Sequence, residues 1–492
     1  MGPEGMPRAP SELLFFVIHP AARIGEFLTS MTACPENTAA AFKAYDIRGR
    51  VPEDLNAGMA RRIGQAFVAT RNARTVLIGH DMRLESPELS EALAHGLTEA
   101  GADVIDIGLC GTEEVYFGTV HHETDGGIMI TASHNPKGWN GMKLVGRGSE
   151  PISGDSGLHT IRDAVVDPES RPPTGAAPGR YTRNTDKSAY IASLLEAIDR
   201  SRLRPLKIVA NPGNGAAGPV LDALEPELPF EWITIQGEPD GNFPHGVPNP
   251  LLPEMRSITS EAVREHGADF GVAWDGDFDR CFLFDEQGRF IEGYYIVGLL
   301  AAQLLEHHPG EKIIHDPRLT WNTITMTREA GGTPIQNKTG HAFMKERMRA
   351  ENALYGGEMS AHHYFRDFSY CDSGMLPWLL VAERLSASNA PLSSLVDERI
   401  ATFPCSGEIN FTVNDVGGTI ERILAVYRDG ADAAPAIDYT DGVSVEFADW
   451  RFNLRGSNTE PVLRLNVETR GDPAMLHTLT ENLSQLIRES SQ

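Results

Sequence analysis

From Asp54 onward the apolar residues alternate between two spacings. In DLNAGMARRIGQAFVAT and SPELSEALAHGLTEA they recur three and four apart, which marks helices with one buried face. TVLIG, ADVIDIG and GGIMITAS are instead short β-branched runs, with the helical GTEEVYFGTVHHE before the last of them. Strands separated by helices of about 12 residues predict βαβ units and a largely parallel sheet. The same grammar restarts twice. SAYIASLLEAI, LKIVANPGNG, GPVLDALEPEL, FEWITI, SEAVREHGAD and FGVAWDGD make a second block; YYIVGLLAAQLLEH, KIIHDP, WNTITMTREAG, GTPIQNKTG, HAFMKERMRA and ALYGGEMS make a third, with no repeat that aligns by eye. After these, GEINFTV, GTIERILAVYRDG, VSVEF, WRFNLR, VLRLNVE and a last helix from Asp472 bring strands close together, as in an antiparallel α+β module.

Composition narrows the function classes. The chain has 492 residues, 41% hydrophobic and 23% charged, as in an ordinary globular protein of several domains. With 43 Lys+Arg against 68 Asp+Glu the net charge is −25, which argues against nucleic-acid and anionic-membrane binding. The longest early apolar run, Leu13 to Ile18, is far short of the roughly 18 residues of a membrane span, and it lacks a signal-peptide cleavage pattern. Five scattered cysteines without a C-x-x-C pair indicate neither a disulfide framework nor a thiolate zinc site, and a reducing cytoplasm is the expected location. Residues 1–30 show no clear periodicity and are expected to be a loose extension or a mis-assigned start; Pro168 to Gly179 reads as a loop-rich end of the first block.

Five segments carry candidate chemistry. Asp275, Asp277 and Asp279 alternate after the strand FGVA, and three carboxylates converging at a strand end supply the hard oxygens that suit Mg²⁺. An EF-hand is a rival, because Glu286 falls at the twelfth position, but Arg280 stands where glycine belongs and the flanks read as strands. Thr131-Ala-Ser133-His134-Asn135-Pro136 ends another strand. It has no nucleophile-elbow glycines, so it is either a plain polar turn or a loop presenting Ser133. Gly213-Asn-Gly215-Ala-Ala-Gly218 satisfies the dinucleotide pattern with Glu238 downstream and keeps an oxidoreductase reading open. Arg455 to Pro461, between two strands, offers a guanidinium, hydroxyls, an amide and a glycine for holding phosphate, with a simple hairpin turn as the alternative. Glu358 and Ser360 share a face if extended and could bind vicinal sugar hydroxyls.

Taken together and in this order, AYDIRG, TASHNP, NPGNGAAG, DGDFDR, IIHDPR, KTGHAF, GGEMSAHHYF and RGSNTEPVLRLNVE resemble the α-D-phosphohexomutase family from about Lys43 onward. The resemblance is greatest to bacterial members that supply mannose 1-phosphate for GDP-sugar synthesis. It implies an α/β fold of three similar mixed α/β domains plus a C-terminal α+β domain with an antiparallel sheet, arranged around a central cleft. The expected domains are 41–186, 187–290, 291–401 and 402–492, after an extension over 1–40. The implied activity is reversible interconversion of mannose 6-phosphate and mannose 1-phosphate, with glucose phosphates as the alternative or additional substrate, Mg²⁺ as cofactor and a hexose 1,6-bisphosphate as activator. Ser133 is then the phosphoserine, and Asp275, Asp277 and Asp279 bind the metal with it. Arg48 and Lys143 manage protons and charge beside Tyr45, and His134 and Arg280 hold the serine loop and its phosphate. Arg318, His341, Glu358 and Ser360 face the sugar; Arg455, Ser457, Asn458 and Thr459 hold the non-transferred phosphate. The expected partners are small hexose phosphates, with no nucleic acid, no membrane and a monomer or weak homodimer.

Overall fold

The computed structural model describes residues 34–167, 177–429, 434–456 and 462–490. The expectations for the first thirty residues and for most of the Pro168 to Gly179 stretch lie outside the described residues. Within the expected extension, Thr38–Ala41 form one 3-10 turn in which Thr38 and Ala41 are buried.

Four sheets follow one another along the chain. The first unit runs β1 (Ile47–Arg50), α1 (Ala57–Arg71), β2 (Thr75–His80), α2 (Ser86–Glu99), β3 (Asp103–Leu109), α3 (Thr112–His121), β4 (Gly126–Ile130), β5 (Trp139–Gly146), α4 (His159–Val166) and β6 (Tyr181–Arg183). The second runs α5 (Ser188–Glu196), β7 (Lys207–Asn211), α6 (Gly218–Leu224), β8 (Glu231–Thr234), α7 (Ser257–His266), β9 (Phe270–Trp274), β10 (Cys281–Phe284) and β11 (Phe290–Ile291). The third comprises α8 (Gly293–His307), β12 (Lys312–His315), α9 (Trp321–Glu329), β13 (Thr333–Gln336), α10 (His341–Glu351), β14 (Tyr355–Gly357), β15 (His363–Phe365), β16 (Cys371–Asp372), α11 (Leu376–Ser388) and α12 (Leu392–Thr402). The last holds β17 (Ile409–Thr412), α13 (Val416–Asp429), β18 (Ala436–Asp438), β19 (Val443–Glu446), β20 (Trp450–Gly456), β21 (Val462–Thr469) and α14 (Pro473–Ser490).

The strand orders are β1-β5-β4-β2-β3-β6, β11-β10-β9-β7-β8, β13-β12-β14-β15-β16 and β17-β21-β20-β19-β18. In the first three sheets one strand has the same surroundings. β4, β9 and β14 each lie between a parallel neighbour (β2, β7, β12) and an antiparallel one (β5, β10, β15). The parallel neighbour is reached through helical crossovers, as the alternating pattern requires. The antiparallel neighbour is reached through a short loop, so each of these sheets is mixed rather than largely parallel. The fourth sheet is antiparallel throughout. This places the Ser133 loop between β4 and β5, the Asp275 loop between β9 and β10, and the Glu358 loop between β14 and β15.

The first and last units each have their own apolar core, built on Phe67, Ile78 and Leu93 and on Phe452, Leu465 and Ile487. The second and third share one, which runs from Tyr190 through Trp274 and Trp378 to Phe403. Trp378 packs edge-on against Trp232 with ring centroids 5.4 Å apart, and Trp274 Nε1 donates to the Gly374 carbonyl at 2.8 Å. Glu113, at the start of α3, joins three units: it accepts from Tyr190 Oη at 2.7 Å, from Ser373 Oγ at 2.9 Å and from the Met375 N–H at 3.1 Å, with Gly374 N–H as a fourth donor. The last unit is fastened by Arg451, which pairs with Glu468 at 2.7 Å and donates to the Pro317 and Arg318 carbonyls at 2.7 and 3.0 Å. Among the described residues no helix is long and apolar enough to cross a membrane.

Candidate active site

Ser133 follows β4 by three residues and adopts φ 49°, a left-handed conformation unusual for a residue with a side chain. Its N–H donates to Thr131 Oγ1 at 2.8 Å and its hydroxyl to Asp275 Oδ2 at 2.7 Å, while His134 Nδ1 lies 3.0 Å from that hydroxyl. The loop is shaped by Arg83, which the sequence reading missed. This buried guanidinium donates to the carbonyls of Ser133, Asn135, Pro136 and Trp139 at 2.6–3.0 Å. The metal loop presses directly on it: a Cβ at Gly276 would meet the Ser133 carbonyl oxygen at 2.8 Å, so glycine is needed there.

Asp275, Asp277 and Asp279 are buried, and their ligand oxygens lie within 4.8 Å of one another. One oxygen of each has no hydrogen-bond partner. Burial and the charges of Asp279 and Asp277 push the Asp275 carboxyl up to about 7. Three buried, mutually repelling carboxylates with unpartnered hard oxygens fit a divalent cation. Strand flanks on both sides, not helices, remove the EF-hand alternative.

Arg48 on β1 and Lys143 on β5 share a sheet face because Arg48 is paired with Gly141, two residues before Lys143. Arg48 Nε donates to Asp46 at 2.7 Å and Nη1 to Asn135 at 2.6 Å. Lys143 Nζ lies 2.7 Å from Asp277 and also contacts Asp279, and Thr112 Oγ1 donates to Asp277 at 2.5 Å. Burial alone would lower the Lys143 pKa, but Asp277 and Asp279 outweigh it and hold the amine above its ordinary value. Lys143 is therefore a fixed cation. Arg280 faces Asp275 at 3.6 Å and donates to His362 Nε2 at 3.2 Å.

The sugar-side residues leave adjacent parallel strands, β12 and β14, at their carboxyl ends, where α/β sheets commonly bind ligands. Asp316 organises them, accepting from Arg318 Nη2 at 2.9 Å and from the Met359 N–H at 2.7 Å. Arg318 also donates to Ser360 Oγ at 3.1 Å and pairs with Glu408 at 3.2 Å. Glu358 accepts from the Gly340 N–H at 3.0 Å and from Tyr364 Oη at 2.6 Å. His341, the first residue of α10, stacks edge-on with Tyr45 at 4.8 Å and has neither ring nitrogen partnered. Burial holds it neutral, with its pKa well below the usual histidine range. Arg455 on β20 donates to Thr339 Oγ1 at 2.8 Å. Ser457, Asn458 and Thr459 lie outside the described residues.

One cleft of about 530 Å³ is lined by Tyr45, Arg48, His134, Lys143, Asp279, Arg280, Arg318, His341, Glu358, Ser360 and Arg455. Its wall carries seven Lys and Arg side chains against four carboxylates, a cationic lining in a chain of charge −25. Arg256, His362, Glu408 and Arg464 belong to that wall and were missed from the sequence. His362 and Arg464 lie inside segments already marked as informative, GGEMSAHHYF and RGSNTEPVLRLNVE, whereas Arg256 and Glu408 have no such signature. The Gly213 loop is built differently from a pyrophosphate cradle. Its Asn214, Gly215 and Ala216 N–H groups bond the carbonyls of Gln236, Pro212 and Gly276 at 2.8–2.9 Å, which leaves them no donor for a nucleotide.

Comparison with known proteins agrees with this geometry. Four family models, described as phosphoglucomutase/phosphomannomutase alpha/beta/alpha domains I, II and III and C-terminal domain, match residues 39–170, 188–288, 292–403 and 408–485. A Xanthomonas campestris pv. campestris protein named "Phosphohexose mutases" is 60% identical over 453 residues, 92% of this chain and 100% of its own. The Escherichia coli K12 protein named "Phosphomannomutase" is 56% identical over 453 residues, 91% of this chain and 99% of its own. The solved structure of a Burkholderia thailandensis phosphoglucomutase/phosphomannomutase family protein has a TM-score of 0.81 at 32% identity, covering 92% of this chain and 98% of that one. Matched in all four units and over nine-tenths of its length, the chain belongs to the phosphoglucomutase/phosphomannomutase family.

Proposed function

We propose that this chain is a phosphomannomutase that interconverts mannose 6-phosphate and mannose 1-phosphate through phosphorylated Ser133 and a hexose 1,6-bisphosphate intermediate. The observation that carries this is the pairing of the Ser133 hydroxyl with Asp275 at 2.7 Å, directly behind His134 in the wall of a cleft that also presents Arg318 and Arg455. Asp275, Asp277, Asp279 and an oxygen of phosphorylated Ser133 would hold Mg²⁺, which supplies positive charge against the charge that develops during phosphoryl transfer. Arg48 and Lys143, both fixed by carboxylates, add charge stabilisation at the reacting group; while Asp277 and Asp279 hold it, Lys143 keeps its proton and acts as a hydrogen-bonding cation, not a base. Glu358 and Ser360 read sugar hydroxyls. Arg455 holds the phosphate that is not transferred, and Arg318, which the resemblance alone places at the sugar, is read here as joining it, so either end of the bisphosphate can face Ser133 in turn. A cleft of about 530 Å³ is of the size that holds a small ligand of this kind.

The module boundaries we infer are those near 186, 290 and 401. Five cysteines without disulfide partners suit a reducing compartment, and we take the protein to act in the cytoplasm as a monomer or weak dimer. Glucose phosphates are a second substrate reading, favoured by the plural "Phosphohexose mutases" of the 60% identical relative. The test is a coupled assay with Mg²⁺ and catalytic hexose 1,6-bisphosphate, comparing mannose 6-phosphate with glucose 6-phosphate. Mannose 1-phosphate formation is expected; turnover of neither sugar phosphate would refute the reading.

A further inference from the structure

Arg318, Arg455 and Arg464 bring three guanidiniums to one cleft, from the loop after β12 in the third unit and from neighbouring strands β20 and β21 of the fourth. Arg318 and Arg455 are almost wholly buried, so their mutual repulsion is poorly screened by water. Much of Arg318 is already committed: its Nε and Nη2 face Asp316, and Nη2 also reaches Ser360. Its Nη1 points instead to Glu408, 3.2 Å away. The other oxygen of the same carboxylate lies 3.2 Å from Arg464 Nη1. Glu408 therefore bridges two guanidiniums with one oxygen each, and it does so just before β17, where the chain enters the last unit. Glu358, 3.6 Å from Arg318, and Asp441, 3.5 Å from Arg455, are further anions beside the cluster.

A carboxylate spanning two guanidiniums makes the contacts that two oxygens of a phosphate would make. We propose that Glu408 is a positioning residue that serves as the cleft's own stand-in for the substrate phosphate, holding Arg318 and Arg464 until the phosphate displaces it. This inference rests on the reading of Arg318 and Arg455 as phosphate ligands. Phosphate binding is then an exchange of one anion for another, and the displaced carboxylate opposes retention of the ligand. Weaker holding suits a mutase, because a bisphosphate that must turn round has to release each end in the same site, and ground-state binding that is too strong slows turnover. The exchange also breaks a bridge between the third and fourth units each time a phosphate enters.

The test is Glu408→Gln, which keeps the shape and removes the charge, with calorimetric titration of inorganic phosphate and steady-state kinetics on mannose 6-phosphate. Phosphate is expected to bind about tenfold more tightly, the order of one charge-assisted hydrogen-bonding partner, with KM and kcat both reduced. Unchanged or weaker phosphate binding in a variant that unfolds at the wild-type temperature would overturn the inference. Glu408→Asp retains the charge and should bind phosphate close to wild type; tightening equal to that of the glutamine variant would overturn it as well. Wild-type protein whose phosphate affinity is indifferent to Arg455→Ala would defeat the underlying phosphate-site reading instead.

Discussion

Ser133 combines a strained backbone, a nearly complete burial and a single acidic acceptor, Asp275. Replacing it with alanine deletes the phosphoryl acceptor but only the hydroxyl's two hydrogen bonds, to Asp275 and His134, so kcat should fall by at least about a thousandfold. Unfolding free energy should change by only about 1–2 kcal/mol. A coupled assay and a denaturant melt on the same sample check both. The aspartates make a second claim at this scale. With one unpartnered oxygen on each of three buried carboxylates, a chelator should lower the unfolding temperature as well as activity, and Mg²⁺ should restore both. In Asp275→Asn the thermal shift should shrink, because one of the repelling charges is gone. A chelator-insensitive melting curve in the wild type would count against the metal site.

At the scale of elements, α3 links catalytic chemistry to architecture. Its first residue, Thr112, reaches Asp277, and its second, Glu113, receives four donors from two other units. Burial outweighs those donors and pushes the Glu113 carboxyl up to about 8. A carboxyl with a raised folded-state pKa binds more protons in the folded chain than in the unfolded one. Its contribution to stability is therefore present below about 4.5 and declines as pH rises toward 8. Each pH unit in that window removes at most about 1.4 kcal/mol. Glu113→Gln suits the site, since its carbonyl can accept from the Gly374 and Met375 N–H groups while Tyr190 and Ser373 reorient to accept from its amide. The variant should show a flatter decline of unfolding free energy between pH 5 and 8, measured by denaturant titration; parallel curves would remove Glu113 as the cause.

Across the whole molecule, the last unit meets the third through Arg451 and Glu468, both buried. Glu468 also accepts from the Thr320 N–H at 2.8 Å, and Arg451 supports the backbone of Pro317 and Arg318. Removing either partner alone strands a buried charge, so Arg451→Met and Glu468→Gln should each cost about 3–5 kcal/mol. The double variant should cost less than the sum of the two, which a double-mutant cycle in denaturant would reveal. The single arginine variant should also raise KM for the sugar phosphate, because Arg318 loses its backbone support.

How much of this was legible in the chain follows from where the information lies. Helix and strand periods are local, so three α/β blocks and a closing antiparallel module could be read directly, as could DGDFDR, TASHNP and GEMS as candidate loops. Residue type settled the available chemistry in the same way: three alternating aspartates are hard, acidic ligands wherever they are placed. Pairing partners are not local. Only the fold showed that β4, β9 and β14 occupy equivalent places and that each sends its functional loop to an antiparallel neighbour, a repeat carried by topology without alignable sequence. Tertiary structure also decided which charges meet. Lys143 rests between aspartates more than 130 residues away, Arg83 gathers the carbonyls of the serine loop, and Glu408 bridges arginines from two units. The reason is physical: a side chain's own chemistry is fixed by its identity, but its charge state, desolvation and hydrogen-bond partners are set by what the folded chain packs against it.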